Sequence, residues 1–146
     1  MTTPSSGGLR RRSREMALQL LFQTEFAMNT AFEAGQVQDM LRRFREDFDI
    51  GNEVSDFGGE LFLGVAERIT EIDAIIQAHS AHWKTSRMGL VDLSVMRVSI
   101  FEMKFLAPPT PPSVAINEAV EIAKTYGSTE SGAFVNGILD HVARGL

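Results

Sequence analysis

SVAINEAVEIAKTYGSTESGAFVNGILDHVARGL, residues 113–146, is the stretch from which the fold is read. Ser113 offers a hydroxyl to cap a helix over Val114–Tyr126, and Gly127 suits the left-handed turn that ends one. Ser128 or Ser131 can cap a second helix. There Phe134, Val135, Ile138, Leu139 and Val142 recur at the three- and four-residue spacing of one apolar face before Gly145. Immediately upstream, Pro108, Pro109, Pro111 and Pro112 each lack an amide hydrogen and turn the preceding residue away from helix, so a connection is forced. Before them Met88–Leu106 reads as a helix, with Val91, Val95, Val98 and Phe105 on one side and Met96, Ile100 and Met103 beside them. From a start near Ser55 or Asp56, the residues Phe57, Leu61, Val65, Ile69, Ile72 and Ile76 keep the period to about His82, which predicts one long unsplit helix. A shorter helix carries Val37, Leu41, Phe44 and Phe48 between a loop near Gly35 and the stop at Asp49-Ile50-Gly51-Asn52. The first helix spans Arg12 to Met28 on Met16, Ala17, Leu20, Leu21, Thr24, Ala27 and Met28. Residues 1–8, built of proline, glycine and hydroxyl residues without an apolar face, read as a disordered leader. No alternating β-branched run is flanked by turn residues. The reading is an all-α bundle without internal repeats, a single domain over 9–146 behind the leader.

A chain of 146 residues is long enough to bury a core without staples, and 44% hydrophobic with 23% charged residues is a globular composition. The absence of cysteine removes disulfide scaffolds, thiolate metal sites and a cysteine nucleophile, and fits a reducing, cytoplasmic setting. The net charge of −5 divides unevenly, into +4 over residues 1–14, which hold four arginines and no acid, and −9 over the rest. A positive end on a negative body suits a protein that takes one polyanion at one place and offers other surfaces to other partners. An arginine-rich, acid-poor start also describes an organellar transit peptide. A secretory signal fits less well, because Gln19, Gln23 and Glu25 interrupt the apolar stretch Met16–Met28. No run of about 18 apolar residues exists to span a membrane.

The residues offer little catalytic chemistry. His79 and His82 stand at i, i+3, a spacing that can place two imidazoles on one metal, but no third ligand lies near, so no metal or cofactor is expected. Phosphate loops, nucleophile elbows and dinucleotide fingerprints are missing. Gly58-Gly59 inside a helix reads as a site of close packing. More informative is Leu9-Arg10-Arg11-Arg12-Ser13-Arg14, which leads into an amphipathic helix. Arg11, Arg14, Leu18 and Phe22 fall near one line there, so a ring sits beside guanidinium groups. Arginines that neutralise phosphates and a ring that stacks on an unpaired base suit single-stranded RNA. The plainer alternative makes Phe22 core and the arginines a solvated helix start.

Val114-Ala115-Ile116-Asn117-Glu118-Ala119-Val120-Glu121-Ile122-Ala123-Lys124 followed by Phe134-Val135-Asn136-Gly137-Ile138-Leu139 resembles the signature of the NusB family of bacterial transcription antitermination factors. The arginine start at Arg10–Arg14 joins it, with Val91-Asp92, Met96-Arg97 and Phe101-Glu102 in the middle helix. The resemblance covers residues 9 to about 144 and is weakest between Asn29 and Asn52.

It implies a NusB-like fold of two packed helical subbundles without catalysis. It implies binding of single-stranded box A RNA with the partner NusE, a small-subunit ribosomal protein. Other Nus factors and RNA polymerase complete the complex, which suppresses termination, chiefly in ribosomal RNA operons. By position, the resemblance assigns RNA contact to Arg10, Arg11, Arg12, Arg14, Phe22, Arg97 and Phe134, and places Asp92 near the RNA and partner surfaces. For Asp92 a helix-start charge explains the residue equally well. Asn117, Glu118 and Asn136 read as hydrogen-bonding partners that hold helix ends together. Gly127 to Ser131 supplies a helix start able to hold a phosphate on its amides, with Glu130 opposing it. Two other functions compete: the NusB-like helical domain of an RNA cytosine methyltransferase, and a helical protein adaptor that binds no RNA. No methyl-donor unit with a glycine-rich loop is visible in the sequence. Because every long apolar pattern has the helical period, far-ultraviolet circular dichroism should show a strongly helical spectrum; one dominated by sheet contradicts the all-α reading.

Overall fold

Apolar stripes at helical spacing become helices throughout the computed structural model, which describes residues 6–28, 33–81 and 83–146. In chain order these are α1 (Ser6–Met28), α2 (Ala34–Asp47), α3 (Asn52–Glu67), α4 (Ile69–Ala78), a 3₁₀ turn at Thr85–Arg87, α5 (Leu90–Ile100), a π-helical segment at Phe101–Phe105, α6 (Pro112–Tyr126) and α7 (Ser131–Arg144). No strand occurs among the described residues. The chain divides into two compact units, one up to Glu67 and one from Arg68, in keeping with the two subbundles expected.

In the first unit α1 lies against α3, and α2 packs on both. Met16, Ala17, Leu20 and Leu21 are buried as their spacing predicts, and Thr24 joins them by donating its hydroxyl to the Leu20 carbonyl at 2.7 Å. The side chains of Ala27 and Met28, assigned to the same stripe, lie outside the described residues. The helix starts earlier than expected, at Ser6, so Ser6, Gly7 and Gly8 of the anticipated leader belong to α1; residues 1–5 lie outside the described residues. Val37, Leu41 and Phe44 form the buried face of α2, whereas Phe48 follows its end, 47% exposed, with its ring centroid 4.8 Å from that of Phe44. Gly51, at φ +85°, makes the left-handed turn into α3, a conformation costly for other residues.

The glycine pair does what its place inside a helix suggested. A Cβ on Gly58 would stand 2.4 Å from the Met16 Sδ and 3.0 Å from the Ser13 carbonyl oxygen, and one on Gly59 would stand 2.4 Å from the Arg45 Nη2. Hydrogen atoms at these positions let α3 approach α1 on one flank and the Arg45 side chain on the other.

The long helix expected from Ser55 to His82 is split. Arg68, at φ −113° and ψ 23°, leaves helical geometry between α3 and α4. No glycine or proline marks the break. Arg68 instead reaches a distant ring, its guanidinium 4.6 Å above Phe105, and pairs locally with the Glu71 carboxylate at 3.3 Å. His82 lies outside the described residues.

In the second unit α5 packs on α4, α6 and α7, and α6 lies along α7. Every residue of α5 from Leu93 to Ile100 is buried, which explains why no single stripe could be separated there. The helix expected to run from Met88 to Leu106 changes hand-over at Phe101: the Leu106 amide donates to the Phe101 carbonyl at 3.0 Å, a five-residue step. Within that segment Glu102 is 1% exposed, and Thr110 from the proline connection donates its hydroxyl to the carboxylate at 2.9 Å and its amide to the Glu102 carbonyl at 2.9 Å. A buried carboxylate demands such a partner.

Three capping expectations are corrected. Ser113 does not cap α6, which begins a residue earlier with Pro112 in its first turn, where the missing amide hydrogen costs nothing. Gly127 is not left-handed (φ −100°, ψ −159°); glycine is needed because a Cβ would meet the Ser131 Oγ at 2.4 Å and the Ala123 carbonyl at 2.8 Å. Neither Ser128 nor Ser131 is the residue preceding α7; that position is Glu130, while the buried Ser131 hydroxyl accepts the Ser128 amide at 2.9 Å.

Gly58→Ala should lower stability by about 1–3 kcal/mol through overpacking against α1. Gly137→Ala, where a Cβ meets nothing within 4 Å, should raise it by about 0.5–1 kcal/mol from helix propensity. Chemical denaturation of both variants checks this, and equal shifts would deny the close α1–α3 approach.

Candidate nucleic-acid interface

Burial sorts the arginines of α1 into two groups. Arg10 and Arg12 are exposed, Arg11 is half-buried and Arg14 is 5% exposed. Ser13, between them, is buried with its hydroxyl 3.0 Å from the Val54 carbonyl and 3.1 Å from that of Leu9, tying this turn of α1 to the start of α3. Phe57, one residue before Gly58, presents its ring to the same turn. The Arg10 guanidinium carbon lies 4.0 Å above its centroid and that of Arg14 lies 5.8 Å away. A guanidinium stacked on a ring is held flat, with its donors directed outward along its plane. The line Arg11, Arg14, Leu18 and Phe22 follows the inner flank of α1, since Leu18 is buried with Arg14 and Phe22 is half-buried. The cations that face water are Arg10 and Arg12.

Arginines on α2 make a useful contrast. Arg42 pairs with Asp39 and, at 2.9 Å, with Glu46, and Arg43 reaches Asp39 at 2.9 Å. The hydrogen bond from Arg42, with the charge of Arg43, holds the Asp39 carboxyl below its ordinary range. Arg45 donates to the Ser55 hydroxyl at 2.8 Å and the Ser55 carbonyl at 3.2 Å. These charges are neutralised or engaged locally, whereas Arg10 and Arg12 are exposed, with Arg10 against the Phe57 ring and the next acid along α1 at Glu15.

Residues assigned from the second unit fall into different environments. Arg97 is 4% exposed, and its guanidinium grips Asp73 with two 2.8 Å bonds, Nε to Oδ1 and Nη2 to Oδ2. The side chain thus joins α5 to α4 from inside the unit. Phe134 on α7 is half-buried, its ring perpendicular to that of Trp83 at 6.1 Å. Asp92 is half-buried in the first turn of α5, where its charge favours the helix start. Asn117 and Asn136, read as internal helix ties, are exposed, so burial does not demand partners for them. At the α7 start, the Ser128 amide already serves Ser131, and Glu130 is exposed with its carboxylate 3.4 Å from the Ser128 hydroxyl.

His79, half of the spacing considered for a metal, bonds through Nδ1 to the Ile75 carbonyl at 2.9 Å and meets His141 edge-on at 5.0 Å. Among the described residues no three His, Cys, Asp or Glu side chains gather as a metal would require, and no helix is long and apolar enough to cross a membrane. Sequence reading passed over Phe57, taken as one more member of a core stripe, and Asp73, whose link to Arg97 spans 24 positions. It also passed over Trp83, although an aromatic beside Lys84 and Arg87 is a readable signal.

Fold and surface together define an all-helical protein of two units whose first helix opens on water-facing arginines backed by an aromatic ring. The NusB family model matches residues 11–144, and the chain belongs to the NusB family. Transcription antitermination protein NusB of Bdellovibrio bacteriovorus is 46% identical over 135 residues, covering 92% of this chain and 95% of that protein. The protein of the same name from Trichlorobacter lovleyi is 47% identical, covering 92% and 90%. Among solved structures, T. maritima NusB superposes with a TM-score of 0.79 at 34% identity, over 99% of this chain and 93% of that one.

If Arg97 acts by joining α4 to α5, Asp73→Ala should cost about 2–3 kcal/mol of stability, less than for a wholly buried pair because the Asp73 side chain keeps 30% exposure. Thermal and urea unfolding test this. An unchanged midpoint would remove the structural role and return Arg97 to the surface argument.

Proposed function

We propose that this chain is a transcription antitermination factor that binds the box A element of nascent ribosomal RNA together with NusE and helps RNA polymerase read through terminators. The observation that carries the RNA reading is the water-facing pair Arg10 and Arg12, with Arg10 stacked at 4.0 Å on Phe57. Phosphates are bound by cations that water can reach, and a guanidinium held flat loses less freedom on binding. The antitermination reading is supported by the curated relatives, whose own length is covered almost completely, which favours it over a domain of an RNA methyltransferase. A structure of NusB and NusE in complex with double-stranded RNA shares the fold, with a TM-score of 0.76 at 21% identity.

Within this reading Arg10, Arg11 and Arg12 meet phosphates, and Phe22 and Phe134 offer rings to bases. Arg14 and Arg97 act from buried positions, shaping the surface that others present. Asp92 lies toward the NusE side. The protein acts by binding and performs no catalysis, and its place of work is the cytoplasm, where nascent RNA is made.

Replacing Arg10 and Arg12 together with alanine should leave folding intact and weaken binding of single-stranded RNAs of any sequence. The salt dependence should flatten by about 1.4 in log–log slope if two phosphate contacts are lost. Unaltered affinity and slope at low salt would remove the N-terminal site.

A further inference from the structure

Trp83 is the sole tryptophan of the chain and is 53% exposed, although its indole is among the largest apolar groups available for burial. Folding therefore gains little from its outer face. Its own backbone groups are tied down: the Trp83 carbonyl accepts from the Gln77 Nε2 at 3.0 Å and the Ser80 hydroxyl at 3.1 Å, and the Trp83 amide donates to the Ser80 carbonyl at 3.0 Å. The Thr85 amide closes the loop onto the Gln77 Oε1 at 3.1 Å. Phe134 stands perpendicular to the indole at 6.1 Å. Such a ring, anchored through its own backbone amide and carbonyl and braced by a second ring, loses little entropy when something stacks on it.

The surrounding charge identifies what would stack. Residues 79–91 contain Lys84 and Arg87, both exposed, and no acid, in a chain of net charge −5. Lysine is depleted from the cores of protein interfaces, while cations interleaved with an exposed ring are the makings of a single-strand binding surface. Glu130, one turn before Phe134 on α7, disfavours phosphate on its side and leaves the backbone to Lys84 and Arg87.

We propose that Trp83 is a base-stacking residue of a second single-stranded RNA contact, with Lys84 and Arg87 taking the adjacent phosphates. This rests on the RNA-binding function proposed above and extends it from Phe134 to the neighbouring ring, whereas Arg10 and Arg12, which carry that reading, belong to the other unit.

Because Trp83 is the only tryptophan, the unmodified full chain reports on itself. A short single-stranded RNA carrying box A, labelled for anisotropy, is titrated while indole emission is followed in parallel. Emission should be quenched along the binding curve. Trp83→Ala should weaken binding about 5- to 150-fold, the range expected for one stacked base. Trp83→Tyr should recover most of that loss. Anisotropy that saturates while emission stays constant, with Trp83→Ala binding like the parent, overturns this proposal and leaves the arginine site standing. Anisotropy that never rises overturns both. Quenching that requires NusE and is indifferent to RNA assigns the ring to a protein partner and overturns the RNA contact.

Discussion

A single hydrogen atom where other residues carry a Cβ, at Gly58, sets the geometry of the first unit. The Ser13 carbonyl and the Met16 side chain occupy the space that a methyl group would need. The close approach brings the Val54 carbonyl within 3.0 Å of the Ser13 hydroxyl and sets Phe57 under Arg10. The orientation of the cationic surface therefore depends on packing, not on the arginine run alone. A wider spacing between α1 and α3 would keep the charge and lose the flat, ring-backed presentation of Arg10.

Availability of charge matters more than its amount. The arginines at 42 and 43 are satisfied by Asp39 and Glu46, and Arg97 by Asp73 within its own unit. A sequence count treats all of these alike. Their environments separate cations that hold structure from cations that can exchange water and counterions for phosphate, and only the latter yield the salt-dependent binding a polyanion supplies.

The helices were legible because amphipathic periods are local and strong; α2, α6 and α7 lie close to where their stripes place them. The break at Arg68 was not legible, since no local breaker marks it and the ring that Arg68 meets there lies on a distant stretch of sequence. Nor was the π-helical step at Phe101, which accompanies the return of Thr110 onto buried Glu102. Turn chemistry misled in an instructive way at Gly127, where steric room next to Ser131 and the Ala123 carbonyl, and not a positive φ, is what requires glycine. At the surface, the basic start of α1 could be read directly, but which arginines face water could not. Residues 11 and 14 share the helical spacing of the core stripe beside them, and helical spacing alone does not distinguish a functional line from a packing one.

The central claim is that the start of α1 meets RNA while the paired arginines of α2 do not. Side-chain Nε–H resonances of arginine, followed by nuclear magnetic resonance as single-stranded box A RNA is added at physiological salt, test it most directly. Signals from Arg10, Arg11 and Arg12 should move to saturation while those of Arg42 and Arg43 stay in place. Movement confined to α2, with residues 10–12 unchanged in a complex that forms, would contradict the account.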